Sequence, residues 1–352
     1  MQNRHTFEAV DRTLKDIRND PQLFGGVVFC FCRDFRQILP VVPRGTRCQI
    51  VSACIKRSPL WHHVQCLTLT INMCLLSQPM SPEERLHQKE FANLILAIGE
   101  GCDTNNDMIQ WPLGGILPEN TSRSLANAIY PILTDPTAQY LAERAILAAR
   151  NDTVDNLNEQ LLASMTGELF TSYSADILVD EGDAETYATE YLNTINLPTL
   201  PPHELKLKIG TPVILLCNLS QSTGLCNGTH LRIAHISQRV VECQILSGKY
   251  TNNMVMIPRI LLSPSSTAEL PFEFRRTQFP LRLVFAMTIN KTQCQTLNHV
   301  GLCLTEPVFT HGQLYVTLSR VTNAANLRII LPDTEEGCQG RIKNVVYSEV
   351  FN

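Results

Sequence analysis

Residues 145–165 read AILAARNDTVDNLNEQLLASM. The opening Ala145 to Ala149 is apolar without interruption, as in a strand covered on both faces, which has no solvent side to alternate with. Asp152 then offers a helix cap, and Asp155 is placed in the first turn, where the helix dipole favours negative charge. Val154, Leu157, Leu161 and Met165 recur at the spacing of one apolar helix face. A buried strand handing over to an amphipathic helix is the repeating unit of an α/β protein.

The same texture extends in both directions. Toward the C-terminus the sequence predicts strands over Leu283 to Met287, Val300 to Leu304 and Leu327 to Leu331, with a helix from Gly312 to Val321. Toward the N-terminus, Phe7, Val10, Leu14 and Ile17 predict a helix, Phe24-Gly25-Gly26 a turn, and Val27 to Phe31 a buried strand. Alternation at Leu67, Leu69 and Ile71 predicts another strand, and Glu83 to Ile98 a helix. Between about 205 and 262 the pattern changes to short β segments: Val213 to Leu216, Thr229 to Ile236, Val240 to Leu246 and Met254 to Ile257. Asn227-Gly228 and Ser247-Gly248 supply turns between them. This reads as a small all-β module inserted into an α/β protein.

Composition bounds the class. The 352 residues are 44% hydrophobic and 18% charged, enough apolar content for two or three folded domains. No run approaches the roughly 18 apolar residues of a membrane helix, and the N-terminus lacks an apolar signal segment, so no membrane partner and an intracellular address are expected. The 13 cysteines are scattered, with Cys30 and Cys32 as the one close pair. Neither metal-ligand spacing nor a disulfide framework fits, so no metal site is predicted and the thiols read as small apolar residues. Net charge is −4, but its distribution is uneven. Phe35 to Pro82 contains Arg36, Arg44, Arg47, Lys56 and Arg57 without an acid, Arg275 to Lys291 holds further cations, and acids gather at Asp176, Asp180, Glu181, Asp183 and Glu185. A positive groove facing phosphates and an acidic loop pointing elsewhere would produce this distribution; so would ordinary surface variation.

Three polar clusters lie at predicted strand ends or in adjoining turns: Asp34-Phe35-Arg36-Gln37, then Thr288-Ile289-Asn290-Lys291-Thr292-Gln293, then Ser319-Arg320. Strand C-terminal ends are where open α/β sheets place ligand chemistry, and these cationic, amide and hydroxyl groups suit phosphate. Singly, each is also explained as a cap, a solvated turn or a surface arginine.

In this order the strings are specific. FGGVVFCFCRDFRQILPVVPRGTR (24–47) resembles the third motif of PIF-one-like helicases, especially those of Helitron transposons. LVFAMTINKTQCQTL (283–297) resembles their fifth motif, and HGQLYVTLSRVTN (311–323) their sixth. The linking text LPPHELKLKIGTPVILLCNLSQSTGLCNGTHL (200–231), IPRILLSP (257–264) and FRRTQFPLRL (274–283) is similar too. The resemblance implies an α/β fold: a RecA-like, P-loop NTPase-type second domain with an inserted small β-barrel of the Src-homology-three type, plus a remnant of the first RecA-like domain. The expected boundaries are 1–64 for the remnant, 65–204 and 283–352 for the second RecA-like domain, and 205–282 for the barrel. The implied activity is ATP-dependent, 5′-to-3′ DNA unwinding in repair, recombination, telomere maintenance or transposition, with ATP and Mg2+ as cofactors, single-stranded and forked DNA as partners, and a nuclear address, with mitochondrion or cytoplasm as alternatives. Position by position, Gln37 would sense the γ-phosphate and Arg320 would be the arginine finger, with Asp34 and Gln293 also at the nucleotide; Thr288, Asn290, Lys291 and Thr292 would contact DNA.

The sequence also departs from that family. The glycine-rich loop ending in Gly-Lys-Ser/Thr is not in these residues, and neither is the acidic magnesium-binding pair. Cys32 and Arg33 stand where the third motif has glycines, Cys74 where the fourth has an arginine, Cys294 where the fifth has glycine, and Cys217 where an arginine is usual. The resulting expectation is a truncated and inactive copy, with a missing N-terminal helicase segment as a partner. The alternative reading is a non-catalytic single-stranded DNA-binding remnant of a transposon helicase; a weaker third is an RNA-directed or structural adaptor.

Overall fold

The computed structural model describes residues 2–71, 73, 81–102, 107–134, 136–180, 187–264, 270–293 and 295–351. At its centre the strand Arg144–Ala148 lies between Ala286–Thr288 and His299–Cys303, with Leu327–Ile330 outside, all four parallel. Burial on both faces explains the unbroken apolar run: Ile146 and Leu147 are fully buried on opposite sides. One face is covered by the helices Ser122–Ile129 and Asn151–Ser164, whose Leu125, Ile129, Leu157 and Leu161 pack on Ile146 and Ala148. The other carries Pro82–Glu100 and Gln313–Leu318, packing Phe91, Ile98, Leu314 and Leu318 against Leu147 and Leu302. Gly301 permits this closeness, since a Cβ there would come within 2.8 Å of Ile129.

Local chemistry sets the element ends. Ser81 and Glu84 form a reciprocal capping box, and Gly101 closes that helix at φ +76°. The helix after Arg144–Ala148 starts two residues earlier than a cap at Asp152 would place it. Arg150 occupies the cap position without a side-chain bond, Asp152 is the first-turn acid, and Asp155 lies beyond that turn. The single strand expected over 283–287 is two, Leu281–Leu283 and Ala286–Thr288, in different sheets. The Asn158 amide holds the break: its Oδ1 accepts from the Ala286 N–H at 2.8 Å and its Nδ2 donates to the Ala286 carbonyl at 3.0 Å.

The β-rich region is a five-stranded antiparallel sheet in the order Leu281–Leu283, Pro212–Leu215, His230–Ile236, Val240–Ile245, Met254–Pro258. Alternate residues Leu231 and Ile233, with Val241 and Cys243 opposite, fill its core. Pairing runs outside 205–282: Phe170–Tyr173 pairs with Glu204–Leu207, and Ala175–Leu178 with Phe274–Gln278. There Arg276 and Asp176, both fully buried, form a 2.6 Å ion pair, and the guanidinium also donates to the Leu192, Ile195 and Pro201 carbonyls. Asp176 is thus part of a structural lock and not of an outward acidic loop. Glu181, Asp183 and Glu185 lie outside the described residues.

The N-terminal part departs most from expectation. Helix Arg4–Arg18 forms as predicted, and its buried Asp11 accepts from the Phe24 N–H at 2.6 Å and from Lys15 at 2.7 Å. Val27 to Phe31 does not form a strand, and Val28 is 96% exposed. Leu67, Leu69 and Ile71 likewise lie outside any sheet, with Leu69 98% exposed. A strand requires an edge to pair with, and neither segment has one among the described residues. The N-terminal segment is instead held by the far C-terminal end: Leu39, Val51 and Cys54 bury Val350. Arg47 pairs with Glu349 at 2.7 Å, Lys56 donates to the Phe351 carbonyl, and Arg57 to that of Glu349. Arg47, Lys56 and Arg57 thus all meet residues 349–351. Among the described residues no helix is long and apolar enough to cross a membrane.

Candidate functional site

Asp34 and Gln37 follow Val27 to Phe31 in a turn where the Gln37 N–H donates to the Asp34 carbonyl at 3.2 Å. Three contacts press this turn onto the α/β domain. The Tyr315 hydroxyl donates to Asp34 Oδ2 at 2.6 Å, Arg36 pairs with Glu100, and the His311 ring meets the Phe35 carbonyl at 2.8 Å. Because His311 Nδ1 accepts from the Tyr347 N–H at 2.8 Å, its proton belongs on Nε2, which donates to Phe35. Burial lowers the His311 pKa, partly offset by that Phe35 bond, and keeps the ring neutral. Burial, then the bond to Asp34, raise the Tyr315 phenol. Gly312 allows the contact: a Cβ there would lie 2.2 Å from the Arg36 carbonyl oxygen.

Gln37 is half-buried beside Gly312, whose helix leads to Arg320. The Arg320 guanidinium is turned inward, 8% exposed, donating to the Val316 carbonyl at 3.0 Å, the Gln295 carbonyl at 3.0 Å and Ser319 Oγ at 2.7 Å. It thus clasps the turn after Ala286–Thr288. In that turn Asn290 and Lys291 are exposed, while Thr288 and Gln293 are half-buried. Thr292 is fully buried with its hydroxyl donating to the Ile289 carbonyl at 2.7 Å, so it shapes the turn and offers nothing to a nucleic-acid backbone. Lys291 keeps solvent contact, yet protein crowds its ammonium; that desolvation and the nearby Arg282 lower its pKa, while Asp155 opposes them.

Several contributors were not legible in the sequence. Gln295 Nε2 donates to His230 Nε2 at 3.1 Å, linking the five-stranded sheet to the residue whose carbonyl holds Arg320. His230 accepts because burial pushes its pKa down to about 4. Arg282 donates to Asn196 Oδ1 at 2.6 Å. Tyr315 and His311 sit inside the 311–323 string, but nothing in their spacing announces contacts to residues 34 and 35. Cys74 and Cys294 lie outside the described residues. The structure thus holds Asp34 and Phe35 against Tyr315 and His311, bonds Arg320 to the turn around Gln295, and leaves Asn290 and Lys291 exposed. Among the described residues no group of three His, Cys, Asp or Glu could hold a metal ion.

A family model described as PIF1-like helicase matches residues 1–108, and one described as the 2B domain of DNA helicase Pif1 matches residues 190–236. The chain is similar to the PIF1-like helicases. The ATP-dependent DNA helicase PIF1 of Xenopus laevis is 26% identical over 332 residues, covering 92% of this chain and 44% of that protein. The chain therefore spans less than half the length of such a curated PIF1 relative. The crystal structure of Pif1 helicase from Candida albicans superposes with a TM-score of 0.65 at 20% identity, covering 99% of this chain and 72% of that one. Pif1 from Bacteroides in complex with ADP-AlF3 and ssDNA gives 0.63 at 18%, covering 96% and 70%. These likenesses show that the chain shares the α/β fold of the Pif1 helicases.

Proposed function

We propose that the chain is the arginine-finger part of an ATP-driven, 5′-to-3′ DNA helicase of the PIF1-like type, acting on single-stranded and forked DNA. The observation that carries this reading is the junction itself, where Asp34 and Phe35, just before Gln37, are bonded by Tyr315 and His311 of the segment that holds the Gln313–Leu318 helix and, two residues beyond it, Arg320. In such a motor the two sides of this junction face the terminal phosphate, and the arginine spreads transition-state charge. Gln37 can donate to a phosphate oxygen, and Arg320 can do so once it releases the Gln295 carbonyl. Asn290 and Lys291 are the exposed groups for the DNA backbone. The five-stranded sheet is read as the inserted small barrel of Src-homology-three type lining the DNA path.

The residues present fit only part of the implied cofactor. No metal-binding cluster occurs among the described residues, and the glycine-rich phosphate loop is not within 1–352, so Mg2+ and the β-phosphate require groups from elsewhere, supplied by further chain or a partner. Without them the chain acts as a non-catalytic single-stranded DNA binder, a reading favoured by the inward, carbonyl-bound Arg320. A nuclear address belongs to this proposal and is checked by imaging a fluorescent fusion.

The test is ATP turnover, with and without single-stranded DNA, of the purified chain and of the chain preceded by a relative's phosphate-loop segment. DNA-stimulated turnover is expected in the joined protein and should fall by on the order of 10³-fold with Arg320→Ala. Turnover by the chain alone would remove the need for an outside loop. Absence of salt-sensitive DNA binding in both proteins would overturn the motor reading altogether.

A further inference from the structure

The helicase reading leaves Cys30 and Cys32 unused. Residues 27–34 belong to no helix or strand. Phe29 stacks on Phe24 at 4.3 Å and Phe31 lies edge-on to Phe7 at 5.2 Å. Cys30 and Cys32 are both exposed, with their Sγ atoms 3.9 Å apart. A disulfide brings two sulfurs to about 2.05 Å, and in a Cys-x-Cys segment the intervening backbone has to bend to allow it. Here it is free to bend, because residues 28–32 share no backbone hydrogen bond with any other described residue.

We propose that Cys30 and Cys32 are a redox-modification site that closes to a reversible disulfide under hydrogen peroxide and thereby loosens the 33–37 turn from the α/β domain. One thiolate attacks peroxide, forming an S–O bond as the O–O bond breaks and hydroxide leaves. The other thiol attacks that sulfur, the S–S bond forms, the S–O bond breaks, and water departs with the proton. Two thiols and one peroxide thus give one disulfide and two waters, the sulfurs supplying the two electrons. So short a ring is strained, which makes the bond readily reducible, as a reversible sensor requires.

The consequence follows from position. Cys32 directly precedes Arg33, which donates to the Ile38 carbonyl; Asp34, which accepts from Tyr315; and Phe35, whose carbonyl holds His311. Bending at residue 31 pulls on all three. The Phe35 ring also lies edge-on to Trp61 at 5.8 Å, so the Trp61 indole reports the movement, while Trp111 stays buried in the core as a fixed reference. The proposal rests on thiol geometry and stands whether or not the helicase reading holds.

The experiment treats the full chain with hydrogen peroxide, then digests it with trypsin without reduction. Residues 19–33 form one tryptic peptide containing only these two cysteines. Loss of two hydrogen masses from that peptide, a concurrent Trp61 fluorescence shift, and reversal of both by dithiothreitol are expected. Cys30→Ser and Cys32→Ser should each abolish both signals. The proposal is overturned if the peptide gains oxygen without losing hydrogens, if the disulfides map to other cysteines, or if the fluorescence shift persists in the serine variants. A disulfide that leaves Trp61 fluorescence unchanged would overturn the claimed loosening.

Discussion

Two regions that read alike in sequence behave differently in the fold. Ala145 to Ala149 and Val27 to Phe31 are both apolar runs ahead of a polar segment. The first is the buried inner strand of a parallel sheet with Ile146 and Leu147 sealed from water, whereas the second does not form a strand, with Val28 almost wholly exposed. An apolar run specifies only a willingness to be buried. Whether it becomes a strand depends on neighbours on both sides, and the run at 145–149 has them in Ala286–Thr288 and His299–Cys303.

This contrast is broken most directly by paired truncations. Leu147→Ala should cost about 2–5 kcal/mol, by loss of buried area and creation of a cavity, and Val28→Ala should change stability by less than about 0.5 kcal/mol. Denaturant unfolding of both variants checks this; equal effects would mean that the N-terminal segment is as well packed as the sheet.

Acid sharpens the comparison between the inserted sheet and the rest. The His230 pKa is pushed from 6.5 down to about 4 by burial. Between those values the unfolded chain binds a proton that the folded chain refuses. Its contribution is therefore intact above about pH 6.5 and lost as pH falls toward 4, amounting to about 3 kcal/mol. His230→Gln keeps an acceptor for Gln295 without a titrating site, so its stability should fall less steeply across this window; parallel curves for the two proteins would contradict the buried-imidazole account.

The smallest effects concern how the N-terminal segment is held. Tyr315→Phe removes the hydroxyl that Asp34 accepts from and should loosen residues 34–63 by about 1 kcal/mol, since the carboxylate is partly solvated. Arg47→Ala removes a pair that is 46% exposed on both sides and should cost a few tenths of a kcal/mol. Amide hydrogen exchange over 34–63 ranks the two, and a larger effect from Arg47→Ala would make Glu349, rather than Tyr315, the stronger hold on this segment.

Much of the architecture was legible because it rests on local rules. Periodicity gave away the helix carrying Leu157 and Leu161, the alternating Leu231 and Ile233, and the parallel strands around residues 146, 302 and 329. The motif strings indicated Asp34 and the 311–323 segment, which the fold joins through the Tyr315 hydroxyl. They could not indicate that Thr292 turns its hydroxyl to Ile289, because in a turn the side-chain direction follows backbone geometry that residue type does not encode. Nor could they indicate that Arg276 and Arg47 answer Asp176 and Glu349, since a cation's partner is chosen by folding from residues far along the chain.

The sequence by itself determined the α/β class, the β-rich insertion and the family strings, because hydrophobic period and turn residues act over a few positions. Only the tertiary structure decided which apolar runs pair, which charges are buried, and that Tyr315, His311, Gln295 and His230 link the motifs. Those outcomes depend on contacts between residues far apart in the chain, 281 positions in the case of Tyr315 and Asp34, and no local rule reaches that far.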